Sequence, residues 1–281
     1  MVTKQDVVHS FKALGIREDD VLLIHSSMKS FGYVEGGPEA VIEGLKEVVK
    51  EGTLAFPTLR SRAFYNAYRD WDIQNTPSDV GLLSETFRTS QGVLRSDQET
   101  HSVAAFGKNA KYITEGHRTG RERVGIFGDL AFGCNSPWQR MFDANAVVVM
   151  IGVTMRFNTF KHFVEYCMVD DILSALPEEQ TEQAKSELAK FNPDPPGVPR
   201  KSNPDGKPYG VWFWHDGEKA QEMLAAQGKV TYGKCGDATL TCFRVRDFFE
   251  FMYRELRYNS RQWLEPLYYQ WIERYDKEKT V

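Results

Sequence analysis

Val7, Val8, Phe11 and Leu14 recur at helical spacing until Gly15 stops the pattern, which predicts a helix over residues 3–14. The next apolar segment, Val21-Leu22-Leu23-Ile24, is short and unbroken, as a strand covered on both faces is. It opens into His25-Ser26-Ser27-Met28-Lys29-Ser30-Phe31-Gly32, a loop of hydroxyls and small residues. Gly36-Gly37-Pro38 then starts a helix to about residue 50, with proline in its favoured first turn. Thr53-Leu54-Ala55-Phe56 reads as a second strand closed by Pro57, so the first sixty residues already alternate as an α/β protein does.

Residues 60–79 are aromatic and polar without a period and read as a long loop, a kind usually functional or mobile. A helix over 81–88, a strand at Val103-Ala104-Ala105-Phe106 and a short helix over 109–115 follow, then a Gly- and Arg-rich stretch over 116–135. Ala146-Val147-Val148-Val149-Met150-Ile151-Gly152-Val153 is the clearest buried strand. After a polar loop it leads to Asn158-Thr159-Phe160-Lys161-His162-Phe163-Val164-Glu165-Tyr166, a helix start. From Pro177 the pattern changes to a polar helix over 178–191 and a proline-rich run to Pro208, which together make an inserted arm at about 177–209. Val211-Trp212-Phe213-Trp214 resumes as a strand, and residues 246–251 begin a late helix. Leu267, Trp271 and Tyr275 form an aromatic stripe suited to docking on the body or on a second subunit, so a homodimer is one expected arrangement. The expected fold is α/β, a central mixed sheet flanked by helices, with residues 1–281 forming a single domain around that arm.

With 281 residues a sizeable core is available. A net charge of -4 with acids and bases interspersed gives no basic face for nucleic acid, and no apolar run approaches the length of a membrane span. The amino terminus has no signal-peptide pattern, so a cytoplasmic protein without a membrane partner is expected. Cys134, Cys167, Cys235 and Cys242 show no metal-knuckle spacing and read as buried thiols.

Residues three apart share a helix face, which sets His162 beside Glu165 just past the carboxyl end of a strand, where function collects in open α/β sheets. A carboxylate there can fix the imidazole's tautomer and support its charged form, as a general base near neutral pH requires; such pairs are more often simple surface hydrogen bonds. The loop from His25 to Gly32 can cradle an anion through backbone N–H groups and the Ser26, Ser27 and Ser30 hydroxyls. It lacks the glycine spacings of a P-loop or a dinucleotide site, and a plain capping turn is the competing reading. Arg95 can pair with a phosphate and Ser96 with an amide chain; His101 is either a second titrating group near the site or a strand-edge side chain.

The ordered set of these segments resembles the aminoglycoside 3-N-acetyltransferase family, the antibiotic N-acetyltransferases, whose fold is not the GCN5 type. The likeness runs through Val21-Leu22-Leu23-Ile24-His25-Ser26-Ser27-Met28, Gly36-Gly37, Gly52-Thr53-Leu54 with Pro57-Thr58, and Thr76-Pro77 to Gly81 and Glu85-Thr86-Phe87-Arg88. It continues through Gly92-Val93-Leu94-Arg95-Ser96, Ser102-Val103-Ala104-Ala105-Phe106-Gly107, Gly133 with Ser136-Pro137, and Asn158-Thr159 with His162 and Glu165-Tyr166. It closes on Gly233, Gly236, Ala238, Arg246-Asp247 and Phe248.

The resemblance implies acetyl-coenzyme A as co-substrate and a small-molecule amine as partner, with the 3-amino group of 2-deoxystreptamine as acceptor. It implies that His162 is the catalytic base and Glu165 its orienting partner. It implies that Ser26, Ser27, Met28, Lys29 and Ser30, with Arg95, Ser96, Ser102 and Val103, hold the pantetheine arm and phosphates; no metal is implied. Gln98-Glu99 departs from the His-Pro common in the family and would set negative charge near the coenzyme channel. The inserted arm is a second departure, and both bear on the acceptor more than on the reaction. A covalent route through Cys167 is disfavoured, since five residues along a helix place it about 140° from His162. A different amine, or a coenzyme-binding protein without catalysis, are the other readings; Asp70, Asp72, Asp79 and Asp143 could attract a polycation.

Overall fold

The computed structural model describes residues 1–60, 71–128, 130–191, 213 and 216–277. Among them, seven strands form one mixed sheet. Its parallel centre is β1 (Val21–Ser26) between β2 (Thr53–Pro57) and β5 (Val147–Ile151). β4 (Val103–Gly107) runs antiparallel beside β2 and carries the two-residue β3 (Leu94–Arg95) on its outer side. Beyond β5 the sheet continues antiparallel through β7 (Ala238–Arg244) to β6 (Val230–Cys235).

Period-two alternation divides the central strands between two apolar layers. Leu22, Ile24, Val147, Val149 and Ile151 cluster with Val7 and Phe11 of α1 (Lys4–Ala13) and Val41 and Leu45 of α2 (Gly37–Val48). Leu23, Val148 and Met150 cluster on the other side with Trp138 of α5 (Pro137–Asp143), Phe163 of α6 (Phe160–Ser174) and Phe248 of α9 (Val245–Tyr258). Because both faces are covered, β1, β2 and β5 could be read as unbroken apolar runs.

The parallel pairing sends the chains leaving β1 and β5 out of the same edge of the sheet. There Ser27 N donates to Ile151 O at 2.9 Å. Gly152, with φ +61°, is needed at this crossing, since a Cβ would fall 2.0 Å from Ser30 Oγ.

Three expectations change. Positions 211, 212 and 214 of the strand expected at Val211–Trp214 lie outside the described residues, and Phe213 sits in a turn at φ 37°. The β6–β7 hairpin and α8 (Gly217–Ala226) were not expected, because β6 is an edge strand mostly exposed to water and lacks an apolar rhythm. The helical half of the arm, α7 (Glu178–Phe191), packs on the body: Ala184 and Leu188 are buried, and Trp271 Nε1 of α10 (Pro266–Tyr275) donates to Ala184 O at 3.2 Å. Trp271 and Tyr275 of the stripe dock on this chain itself, whereas Leu267 stays exposed. The proline-rich run over 192–209 lies outside the described residues, and among those described no helix is long and apolar enough to cross a membrane.

Arg257 of α9 and Asp276 after α10 form a buried two-point ion pair at 2.6 and 2.8 Å. Arg257→Met leaves that carboxylate buried without its counter-charge and should lower stability by ~3–5 kcal/mol, read as a shifted urea midpoint. An unshifted midpoint would show that the pair does not anchor the carboxyl-terminal helix.

Candidate active site

α6 starts just after the loop leaving β5 and is buried on nearly every side, by Phe160, Phe163, Val164, Tyr166 and Met168 among others. A helix apolar all round belongs inside the core, so a polar pair on it is a buried pair. His162 Nδ1 and Glu165 Oε2 stand 2.8 Å apart; the Glu165 side chain has no exposure and that of His162 has 13%. Burial raises the Glu165 carboxyl well above the ordinary range, with the nearby Lys161 ammonium acting in the opposite sense. Lys161 is itself pulled down to about 8 by burial, against the attraction of Glu165, and its Nζ donates to Arg156 O at 2.8 Å.

His162 lines a cavity of about 650 Å³ at the carboxyl ends of the parallel strands. His25 and Ser26 end β1 there, Pro57 ends β2, and Val153 and Asn158 follow β5. The third wall is a loop carrying Phe127, whose ring lies 4.7 Å from the His162 ring. Tyr166 Oη accepts from Phe127 N at 2.8 Å, and Gly125 passes so close that a Cβ would enter the Tyr166 ring. His101 packs between Phe127 and Phe132, with its ring centroid 6.0 Å from that of His162. Phe127 is a site residue that sequence reasoning missed; its one signal was its place in a glycine-rich stretch.

Of the expected coenzyme contacts, Ser26 lines the cavity, while Ser27, Met28 and Ser30 are half-buried and Lys29 exposed in the 3-10 turn that follows. Ser30 Oγ closes that turn on Ser27 O at 2.6 Å. The other four are bonded into the body, with Arg95 half-buried and lining a separate cavity of about 350 Å³. Arg95 directs its guanidinium at Thr58 Oγ1, Ser102 Oγ and the carbonyls of Thr58, Ile73 and Thr76, and stacks on Trp71. Ser96 Oγ accepts from Val103 N at 2.9 Å and bonds His117 Nδ1, while Ser102 Oγ donates to Thr58 O. Ser96 thus ties the end of β3 to β4 and Ser102 ties β4 to the end of β2; Ser96, Ser102 and Val103 are buried and do not line the cavity.

Gln98 and Glu99 also differ from expectation. Gln98 is buried, and its Oε1 accepts from Thr100 N and His101 N, while Thr100 Oγ1 donates to Phe127 O at 2.9 Å. The amide thus shapes the loop that carries His101 and Phe127. The Glu99 carboxylate, nearly buried and 3.8 Å from Arg118 Nη1, is absent from the cavity wall. Among the described residues no group of three or more His, Cys, Asp or Glu side chains could hold a metal.

Burial also lowers His25 and His101 to about 3 and His117 to about 4; the charges of Lys161 and of His117 add to the first two shifts, and the Ala131 carbonyl opposes the third. His101 is therefore no second titrating group near neutrality. The unfolded chain takes up these protons near pH 6.5 and the folded chain does not, so their stability contribution is present above that pH and lost as pH falls toward 4 and 3. Three such groups should make urea-unfolding stability fall by up to ~4 kcal/mol per pH unit between about pH 6 and 4, and a flat profile there would reject neutral burial.

Cys167 is buried on α6, does not line the cavity, and has its thiol pushed up to about 12 by burial. It stays protonated at pH 8, so alkylation with iodoacetamide in the folded state should spare it, and Cys167→Ala should keep turnover within about threefold. Loss of turnover on alkylation of Cys167 would restore the covalent route.

The aminoglycoside 3-N-acetyltransferase family model matches residues 23–257. An aminoglycoside N(3')-acetyltransferase-like protein of Bacillus subtilis, YokD, is 28% identical over 58% of this chain and 65% of its own. Aminoglycoside N(3)-acetyltransferase III of Pseudomonas aeruginosa is 24% identical over 94% of this chain and 93% of its own. Among solved structures, AAC-IIIb with CoASH superposes with a TM-score of 0.66 at 19% identity, covering 94% of this chain and 98% of that one.

Proposed function

From the premise that the chain belongs to the aminoglycoside 3-N-acetyltransferase family, we propose that it moves an acetyl group from acetyl-coenzyme A to an amine. The transfer is direct, within a ternary complex, and the acceptor is the 3-amino group of a 2-deoxystreptamine aminoglycoside. The observation that carries this reading is the buried His162–Glu165 pair at the wall of a cavity large enough for two reactant ends.

An amine attacks a thioester carbonyl only through a free lone pair, so a proton must leave during attack. When Glu165 is ionised and Nδ1–H donates to its Oε2, Nε2 is the nitrogen that takes the proton, and the carboxylate stabilises the imidazolium so formed. Holding acyl donor and amine together supplies much of the remaining acceleration. Ser26, Ser27, Met28, Lys29 and Ser30 form the loop against which the coenzyme arm lies. Arg95, Ser96, Ser102 and Val103 hold the strand ends behind it. Residues 1–281 act as one catalytic unit, with 177–209 as its inserted arm.

A second acceptor class, a less cationic amine, is favoured by the charges at the cavity. Among the described lining residues Asp79 is the one carboxylate, against Arg156 and Lys161. Asp72 accepts from the Gln74 and Asn75 amides and Asp143 from Gln139, while Asp70 lies outside the described residues.

Thiol release from acetyl-coenzyme A on aminoglycosides and simpler amino sugars tests the reading, with His162→Ala as the control. The variant should lose ~10²-fold or more in turnover and keep its coenzyme affinity by calorimetry. Near wild-type turnover in that variant would remove His162 as base, and release with amino sugars alone would select the second acceptor class.

A further inference from the structure

Two nitrogens of residues that line the cavity, Asn158 Nδ2 and His25 Nε2, are buried and have no hydrogen-bond partner among the described residues. Asn158 has no exposed surface and His25 has 6%. Leaving a buried polar group unsatisfied costs ~1–3 kcal/mol, so two in one wall call for a ligand group that completes them. The Asn158 amide cannot be reversed to escape this, because its Oδ1 accepts Phe160 N at 3.1 Å at the start of α6. Its Nδ2 is thereby held in place and can only donate, so its missing partner is an oxygen acceptor. His25 is kept neutral by the same burial and can offer an N–H without bringing a charge into the wall. A protonated amine of the acceptor is itself a donor and does not fit Asn158. A carbonyl oxygen does.

Resting on the acetyl-transfer reading, we propose that Asn158 Nδ2 is the oxyanion donor of this site, hydrogen-bonding the carbonyl oxygen of the acyl donor as the amine adds, with His25 Nε2 as a second donor. The N–C bond forms while the C=O π pair moves onto that oxygen, where the two donors stabilise it. The pair then returns, the C–S bond breaks, and the proton taken from the amine by His162 passes to the leaving thiolate. Base and oxyanion donor lie four residues apart at the entry of one buried helix, so a single rigid segment sets both against the reacting carbon.

The test compares wild type with Asn158→Asp, Asn158→Ser and His162→Ala in acetyl-coenzyme A turnover across pH, coenzyme affinity and melting temperature. Both Asn158 replacements keep an oxygen to cap Phe160 N and lose the amide donor, and serine adds no buried charge should the aspartate variant not fold. Each should lose about 10²–10³-fold in kcat, the usual worth of one such donor, with coenzyme affinity within about threefold, and in the uncharged Asn158→Ser variant the pH dependence should not move. A folded Asn158 variant with kcat within about threefold of wild type overturns the proposal and leaves an internal water as the partner. A fall in melting temperature with kcat retained overturns it in the same way, as a purely structural role. Failure of the base reading shows separately, as normal turnover in His162→Ala, and a wild type releasing no thiol with any amine removes both.

Discussion

Glu165 is a carboxyl group with no solvent exposure, set on a helix wrapped by core side chains, and the rest of the site is arranged around keeping it there. Taking a carboxylate out of water costs several kcal/mol even after relaxation, which no apolar neighbour returns. The imidazole of His162 at 2.8 Å and the nearby Lys161 ammonium act against that cost. Such a pair is useful only if the helix cannot turn. The aromatic wall supplies this: Tyr166 Oη holds the Phe127 amide, and Phe127 covers the His162 ring. Gly125 is what allows the loop to lie so close, since a side chain there would enter the Tyr166 ring.

The sheet has a matching task on the opposite side of the cavity. Parallel pairing of β1 with β5 brings the serine loop and the α6 entry to one edge, and the Ser27–Ile151 bond and the Ser30–Gly152 contact lock the two exits together. On the far flank, Thr58, Arg95, Ser96 and Ser102 join the ends of β2, β3 and β4 by buried and part-buried hydrogen bonds. Satisfied polar networks of this kind stiffen a scaffold, and stiffness is what positioning catalysis draws on.

The strands at the centre were legible because burial on both faces writes them as unbroken apolar runs, and the His162–Glu165 contact because helical geometry fixes which positions meet. The β6–β7 hairpin was not, since an edge strand facing water carries no such rhythm. Arg95 shows a further limit: an arginine followed by a serine signals hydrogen bonding, but only the fold decides whether the acceptors are phosphates or carbonyls of its own chain. In the sequence Asn158 stands out only as the neighbour of Thr159, yet what distinguishes it is a bond not made, and an unmet donor has no signature in sequence.

Burial acts in opposite directions on the two kinds of group in this cavity, and the difference divides the labour. His25 and His101 are held neutral far below physiological pH, so they serve as fixed dipoles and packing surfaces. Glu165 and Lys161 are both drawn toward neutrality by burial from opposite ends of the scale, which leaves their charges sensitive to each other. An amine entering next to Lys161 meets a like charge whenever both are protonated, and that repulsion favours the neutral amine, the form that can attack. In the proposed acetyl transfer, the lysine that offsets the buried carboxyl would also repel further positive charge brought in beside it.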